Sequence, residues 1–259
     1  MKIALLQMRA VTGDVDANLA TIERAAEQAA AGAADLLVTP ELATTGYGAG
    51  DAIRDLAEPA EGPQVRRLTD IAARHGLAIV AGFAERNGDK VFNSLALVRG
   101  DAAPSIYRKT NLYADYERAL FTPGEICPAT AAFAGLRLGF LICYDVEFPE
   151  NVRRLAEAGA DAVIVPTALP EGPHARFIAT NLVPVRAFEN QVFVAYANHA
   201  GADARFRYAG LSRVAAPDGG CLAASDDNEP ALLFADVDPA AYEESRRANT
   251  YLNDLRRAE

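Results

Sequence analysis

The stretch LRLGFLICYDVEFPENVRRLAEAGADAVIVPTA, residues 136–168, decides the architecture. LRLGFLIC (136–143) has the length and apolar content of a strand, PENVRRLAEAGA (149–160) reads as a helix, and DAVIVPTA (161–168) as a second, buried strand. A strand–helix–strand order of this kind belongs to sheets covered by helices. The first strand stops at Cys143, and Asp145, Glu147 and Glu150 follow within seven residues. A cysteine at a strand end suggests a nucleophile, yet neighbouring acids raise a thiol's pKa and weaken it. Whatever activates Cys143 must come from another part of the chain.

The same alternation continues outward. KIALLQ (2–7) predicts a strand, NLATIERAAEQAAAGA (18–33) an Ala-rich helix ending near Gly32, and ADLLVTP (34–40) a buried strand stopped by Pro40. GPQVRRLTDIAARHG (62–76) predicts an amphipathic helix, with His75 suited to its C-terminal end, and LAIVAGFAE (77–85) the strand after it. VFNSLALVRG (91–100) and APSIYRK (103–109) read as strands joined by a short Gly-Asp turn, followed by an irregular stretch with Pro123, Gly124 and Pro128. ARFIATNLVPVRAFEN (175–190) is mostly helical, with Pro184 expected to kink or divide it. QVFVAYANHAG (191–201), LSRVAAPDG (211–219) and ALLFADVD (231–238) supply further strands, and PAAYEESRR (239–247) a last helix before a polar tail. With no internal repeat, linker or composition break, one α/β domain over residues 1–259 is expected, its sheets mixed and covered by helices on their outer faces.

The 259 residues are 51% hydrophobic and 23% charged, ordinary for a soluble globular protein. A formal net charge of -10 argues against a nucleic-acid or anionic-membrane surface, and such acidity is most often plain solubility. MKIALLQMRA lacks a long apolar region and a small-residue cleavage site, so a signal peptide is not expected, and no apolar run is long enough to span a bilayer. Cys127, Cys143 and Cys221 form an odd, widely spaced set without C-x-x-C, which disfavours a disulfide framework or structural zinc and points to a reducing cytoplasm. His75, His174 and His199 show no ligand spacing.

Three strand ends carry chemistry. DLLVTPE sets Glu41 just past a buried strand, SIYRK sets Lys109 at the end of another, and LGFLIC sets Cys143 at a third. Side chains beyond the carboxyl ends of strands converge without being buried, which is where ligands gather in α/β sheets. Glutamate can take the thiol proton, lysine can stabilise negative charge, and cysteine can form a covalent bond. Singly, each has a plainer reading: a cysteine after an apolar run is commonly a small core residue, and a strand-end Glu or Lys is commonly solvated.

TPELATTGY (39–47), YRKTNLYADYERALFTPG (107–124) and LICYDVEFPE (141–150) resemble the three signature segments of the nitrilase superfamily, the carbon–nitrogen hydrolases. VFNSLALV (91–98), VRAFENQVFVAYAN (185–198) and GLSRVAAPDG (210–219) also fall in family order, so the resemblance covers nearly the whole chain. It implies a Glu–Lys–Cys triad, here Glu41, Lys109 and Cys143, and a second glutamate that matches Glu117. It also implies a four-layer α-β-β-α sandwich, commonly dimerised, and catalysis without a metal or organic cofactor. In the expected chemistry Glu41 is the general base, Lys109 and the Tyr144 N–H hold the oxyanion, and Glu117 steadies Lys109 or the incoming water. A Cys–His pair using His174 or His199 is disfavoured.

True nitrilases usually continue the nucleophile as Cys-Trp-Glu; this chain reads Cys143-Tyr144-Asp145 and contains no Trp, so amide hydrolysis is favoured. YRKTNLYADYERALFTPGE resembles the subgroup of R-stereoselective amidases and 5-aminopentanamidases, with one departure at Asn111, where many members carry His. Relatives that handle carboxylates carry Arg soon after the Cys; here Val146 and Glu147 stand instead, and Glu147 is expected either to attract an ammonium on the substrate or to cap or pair locally. Asp145 is expected to be structural, and Glu150 to suit the first turn of a helix. Tyr47, Tyr113, Tyr144, Glu147, Phe148, Thr167 and Ala168 are the expected substrate-binding residues, with Asn93 and Asn198 as further pocket candidates. The expected partner is a small-molecule amide, and the expected assembly a homodimer with the tail at about 248–259, through Tyr251 and Leu252, sealing an interface. The rival readings are an N-carbamoyl-amine hydrolase, a non-catalytic binding protein on the same fold, and a thiol redox protein, which would want a resolving cysteine.

Overall fold

The computed structural model describes residues 1–100 and 102–256. The chain begins with β1 (Lys2–Gln7), α1 (Val15–Ala31), β2 (Leu36–Val38), α2 (Ala52–Leu56), α3 (Pro63–His75), β3 (Ala78–Asn87), β4 (Lys90–Arg99), β5 (Ala102–Arg108) and α4 (Ala114–Leu120). It continues with β6 (Thr130–Phe133), β7 (Leu136–Phe140), α5 (Pro149–Glu157), β8 (Ala162–Pro166), α6 (Ala175–Phe177), α7 (Val183–Asn190), β9 (Phe193–Ala197), β10 (Arg213–Ala215), β11 (Cys221–Ala224) and β12 (Ala231–Asp236), then α8 (Glu243–Ala248) and α9 (Tyr251–Asp254). One six-stranded sheet has the order β12-β1-β2-β3-β4-β5 and the other β11-β10-β9-β8-β7-β6. Both are mixed: β1, β2 and β3 run parallel, as do β7, β8 and β9, and the flanking pairs are antiparallel.

Alternating side chains explain the layers. Ile3 and Leu5 of β1 join Leu138 and Phe140 of β7 in one core cluster between the sheets, whereas Ala4 and Leu6 pack with Leu19 and Ile22 of α1 and Leu68 of α3. Both faces of these strands are buried, which is why they read as continuous apolar runs. Helices α5 and α7 cover the second sheet, giving the expected α-β-β-α sandwich.

Several boundaries differ from expectation for physical reasons. Helix α1 starts earlier, at Val15, because the Asp14 side chain accepts from the Ala17 N–H at 2.9 Å as an N-cap. The expected interruption at Pro184 is there, but it falls just before the proline, between α6 and α7. A wide π turn over Ile178–Leu182 precedes it, with the Val183 N–H bonded to the Ile178 carbonyl, and absorbs the missing proline donor. Strands β6 and β11 are edges of four residues each, partly exposed in β6 and mostly exposed in β11, too short for a periodic pattern. Of the expected Gly-Asp turn, Asp101, and of the expected tail, residues 257–259, lie outside the described residues. Among the described residues no helix is long and apolar enough to cross a membrane.

Candidate active site

Three exits from the sheets meet at one rim. Glu41 follows β2, Lys109 directly follows β5, and Cys143 comes shortly after β7. The nucleophile candidate is not the last residue of a strand, as the sequence suggested. Strand β7 ends at Phe140, and Cys143 opens a 3-10 turn, Cys143–Glu147, with its own φ at +46°. A non-glycine residue in that region costs on the order of 1–3 kcal/mol and persists only where its surroundings hold it.

Those surroundings are specific. Asp145, fully buried, accepts from the Ile142 N–H (3.2 Å) and the Tyr107 hydroxyl (2.9 Å) on one oxygen. Its other oxygen accepts from the Thr110 hydroxyl (2.9 Å) and the Asn111 N–H (2.8 Å), so one carboxylate ties the exit after Lys109 to the turn carrying Cys143. At the far end of the turn, Arg186 on α7 donates to the carbonyls of Val146 (3.0 Å) and Glu147 (2.7 Å). The turn is therefore clamped at both ends.

Lys109 and both glutamates are sealed from solvent. Lys109 Nζ donates to Glu41 Oε1 and to Glu117 Oε1, each at 2.6 Å. Glu117 on α4 also accepts from the Tyr47 hydroxyl (2.9 Å) and the Tyr113 N–H (2.7 Å), which leaves both of its oxygens engaged. Glu41 Oε1 receives a further hydrogen bond from Asn93 Nδ2 at 2.6 Å, whereas Glu41 Oε2 has no partner among the described residues. Burial pushes the Glu41 carboxyl up to about 7 against the pull of Lys109. Burial likewise disfavours charge on Lys109, but Glu117 and Glu41 outweigh it and hold the ammonium charged. Burial, then Glu41, pushes the Cys143 thiol well up, opposed by Lys109 and by the Ala168 backbone N–H. A neutral thiol beside a carboxylate poised near neutrality can pass its proton only when a substrate develops charge of its own.

The expected substrate residues divide. Tyr47 is buried with its hydroxyl on Glu117, and Thr167 is buried with its hydroxyl on the Val165 carbonyl at 3.0 Å. Ala168 lies against Cys143. Tyr113, Tyr144 and Phe148 stack edge to face, with centroids 5.2 and 4.9 Å apart, and Tyr144 and Phe148 line a 520 Å³ cleft beside Asn111, Phe121 and Arg118. The Tyr144 N–H has no acceptor among the described residues. The Glu147 carboxylate is half-buried, and burial raises its pKa; Lys109 and Arg186 lie near enough to oppose that rise. Among the described residues it makes neither a cap on α5 nor an ion pair; Arg186 bonds its carbonyl instead. Asn198 is buried, and its amide staples the Leu169 N–H and the Gly210 carbonyl. His199 Nε2 sits 2.7 Å from the Glu41 carbonyl rather than on the thiol. Among the described residues no cluster of His, Cys, Asp and Glu is placed to hold a metal.

The family comparisons agree with this geometry. The carbon-nitrogen hydrolase model matches residues 2–247. This chain belongs to the carbon–nitrogen hydrolase family. The carbon–nitrogen hydrolase fold is shared with an amidase from Nesterenkonia sp., 36% identical with a TM-score of 0.88 over 99% of this chain and 93% of that one. An (R)-stereoselective amidase from Pseudomonas sp. is 36% identical over 99% of this chain and 92% of its own. A Pseudomonas protegens protein named "Hydrolase in pqqF 5'region" is 42% identical over 99% and 89%. Structures of the Nesterenkonia amidase include an alanine variant of its cysteine with butyramide and a Glu-to-Gln variant carrying a Michael adduct of acrylamide at the active-site cysteine.

Reading residue types missed the supports. Asn93 was a pocket candidate and proves to grip Glu41; Arg186 carried no expectation at all. Beside an ion pair with Glu189 on its own helix, its bonds to the turn go to main-chain carbonyls, which leave no trace in the identity of their partners.

Proposed function

We propose that this carbon–nitrogen hydrolase is an amidase, cleaving small aliphatic amides to a carboxylic acid and ammonia through a thioester on Cys143. The observation that carries the reading is the uneven pairing of Glu41: one oxygen is gripped by Lys109 and Asn93, the other has no partner among the described residues, and the buried Cys143 thiol lies near enough to feel both Glu41 and Lys109. Glu41 Oε2 takes the proton as Cys143 Sγ attacks the carbonyl carbon, and Lys109 Nζ with the Tyr144 N–H receives the oxyanion. Glu41 returns the proton to nitrogen, the C–N bond breaks and ammonia leaves. Glu41 then deprotonates water, whose oxygen attacks the thioester; the acid departs and the thiol is restored. Glu117 keeps Lys109 in place, and the steps need no cofactor. The butyramide and acrylamide complexes of the Nesterenkonia amidase support the substrate class.

Ammonia release from primary amides, carbamoyl amines and nitriles, measured beside Cys143→Ala, tests this. Release from amides alone is expected, with an acyl mass increment on the intact wild-type protein; equal background from both proteins would sink the reading.

The finer reading is that the substrate carries an amino group, as in 5-aminopentanamide or an amino-acid amide. What supports it is a half-buried Glu147 carboxylate with neither cap nor ion pair to occupy it. Glu147→Gln is expected to lower kcat/KM for aminated amides about tenfold relative to neutral ones, roughly one charge-assisted hydrogen bond. An unchanged ratio would remove Glu147 from recognition. We also propose a cytoplasmic homodimer, supported by exposed Phe177, Val185 and Tyr251 on α6, α7 and α9; a monomer by light scattering at micromolar concentration would refute it.

A further inference from the structure

The imidazole of His199 has no place in the reaction just described, yet it is buried at the catalytic rim. It lies just past β9, where His199 bridges to Met8 beyond the end of β1. Its Nε2 is 2.7 Å from the carbonyl oxygen of Glu41. A carbonyl only accepts, so Nε2 carries the proton and donates it. Nδ1 is then the bare nitrogen; it makes no well-formed hydrogen bond among the described residues, although the Met8 backbone lies close enough to the ring to work, with the Glu41 carbonyl, against the lowering of its pKa by burial. The ring is fixed from its other side by Tyr208, 5.0 Å away between centroids, whose hydroxyl donates to Asp203 at 2.5 Å. Burial holds the imidazole neutral.

The backbone that His199 holds is one that needs holding. Leu42, next after Glu41, has φ at +49°, outside the ordinary range for its side chain. A Cβ on Gly82 would come within 2.3 Å of the Leu42 nitrogen and 2.6 Å of the Pro40 carbonyl oxygen, so β3 presses directly on this turn. The Glu41 main chain makes two hydrogen bonds here: its N–H to the Thr167 carbonyl at a long 3.3 Å, and its carbonyl to His199 at 2.7 Å. The short one belongs to His199.

We infer that His199 is a positioning residue for the base: its Nε2–H anchors the Glu41 carbonyl and so sets where the unpartnered Oε2 stands relative to Cys143. The inference rests on the amidase reading. It assigns the histidine a role through Glu41 and none in proton transfer.

Acrylamide separates the two parts of the site. Attack of Sγ on its carbonyl needs a base that passes the proton to the departing nitrogen and releases ammonia. Conjugate addition of the S–H across the vinyl group gives a stable thioether and has no leaving group. Wild type, His199→Leu and His199→Gln are compared for ammonia release and, by intact mass, for thioether formation, with Tm for each. In His199→Leu, hydrolysis is expected to fall about 10–100-fold, the scale of a reacting group displaced by about an ångström, while thioether formation changes by less than about threefold. His199→Gln, whose amide N–H can reach the same carbonyl, is expected to recover most of the hydrolysis. Hydrolysis retained in His199→Leu, or both rates falling together with Tm, would overturn the inference alone. A wild type that forms the thioether but releases no ammonia from any amide would overturn the amidase reading and this inference with it.

Discussion

Arg108 and Lys109 are neighbours in the chain, and each binds a buried glutamate, but the two ion clusters end differently. Glu85 is fully used: Arg108 meets both of its oxygens, at 2.5 and 2.8 Å, and the Ser94 hydroxyl adds a third bond at 2.7 Å. Arg108 also lies over the Phe92 ring, 4.2 Å from its centroid, and keeps its outer edge in solvent. Among the described residues Glu41 is held on one oxygen only, beside a lysine with no solvent contact. A carboxylate whose acceptors are all filled is a fastener. One that the protein leaves with a free acceptor in a buried site is held at a cost in stability, and such costs cluster at reactive groups.

Breaking the two clusters should therefore damage different properties. Glu41→Gln keeps the shape and leaves Lys109 its Glu117 partner, but removes the base; kcat should fall about 10⁴-fold or more with Tm held or raised. A variant that kept a tenth of wild-type kcat would show that Glu41 is not the base. The acid limb of kcat/KM is the next largest effect. Only the ionised Glu41 accepts a proton, and burial has pushed its carboxyl up to about 7, so the rate should halve near pH 7 and drop about tenfold per pH unit below it. A limb at the ordinary carboxylate range near pH 4–5 would contradict the effect of burial on Glu41. Glu85→Gln should do the converse. Removing a partner of the half-exposed Arg108 should cost about 1–3 kcal/mol of stability, discounted for solvent at the guanidinium, while kcat per folded molecule stays within about threefold. Should kcat collapse instead, the fastener and the reactive cluster are not separable.

Sequence and structure agree best where one residue type leaves a pattern by itself. The long strands were legible because both of their faces are buried, and the Glu41, Lys109 and Cys143 positions because three motifs recur in order. Helix α4 was not: its seven residues have no apolar stripe to announce them, and contacts such as the Tyr116 hydroxyl on the Tyr47 carbonyl, 2.6 Å, hold it instead. The end of β7 was overshot because LRLGFLIC stays apolar through the point where the backbone leaves the sheet; Leu141 and Ile142 are buried in the core without being strand. The roles of His199 and Arg186 at the site were illegible for a common reason: the bonds that serve it go to main-chain carbonyls of Glu41, Val146 and Glu147, and a carbonyl has no letter, whereas the Arg186 pairing with Glu189 is local to its own helix.

The smallest test reaches the comparison through Glu117, the third acid, which touches Lys109 yet resembles Glu85 in having both oxygens engaged. Tyr47 fills one of them from inside an aromatic group with Tyr116 and Phe206, whose ring centroids lie 5.4 and 5.2 Å away. Tyr47→Phe keeps that packing and removes only the hydroxyl, leaving Glu117 Oε1 to Lys109 alone. If Glu117 acts as a fastener for the lysine, the ammonium should shift toward Glu117 and away from Glu41, and kcat should fall about tenfold, or ~1.4 kcal/mol, with KM nearly unchanged. A rise in KM at constant kcat would place Tyr47 against the substrate, and no change in either would show that the Lys109–Glu117 contact holds without help.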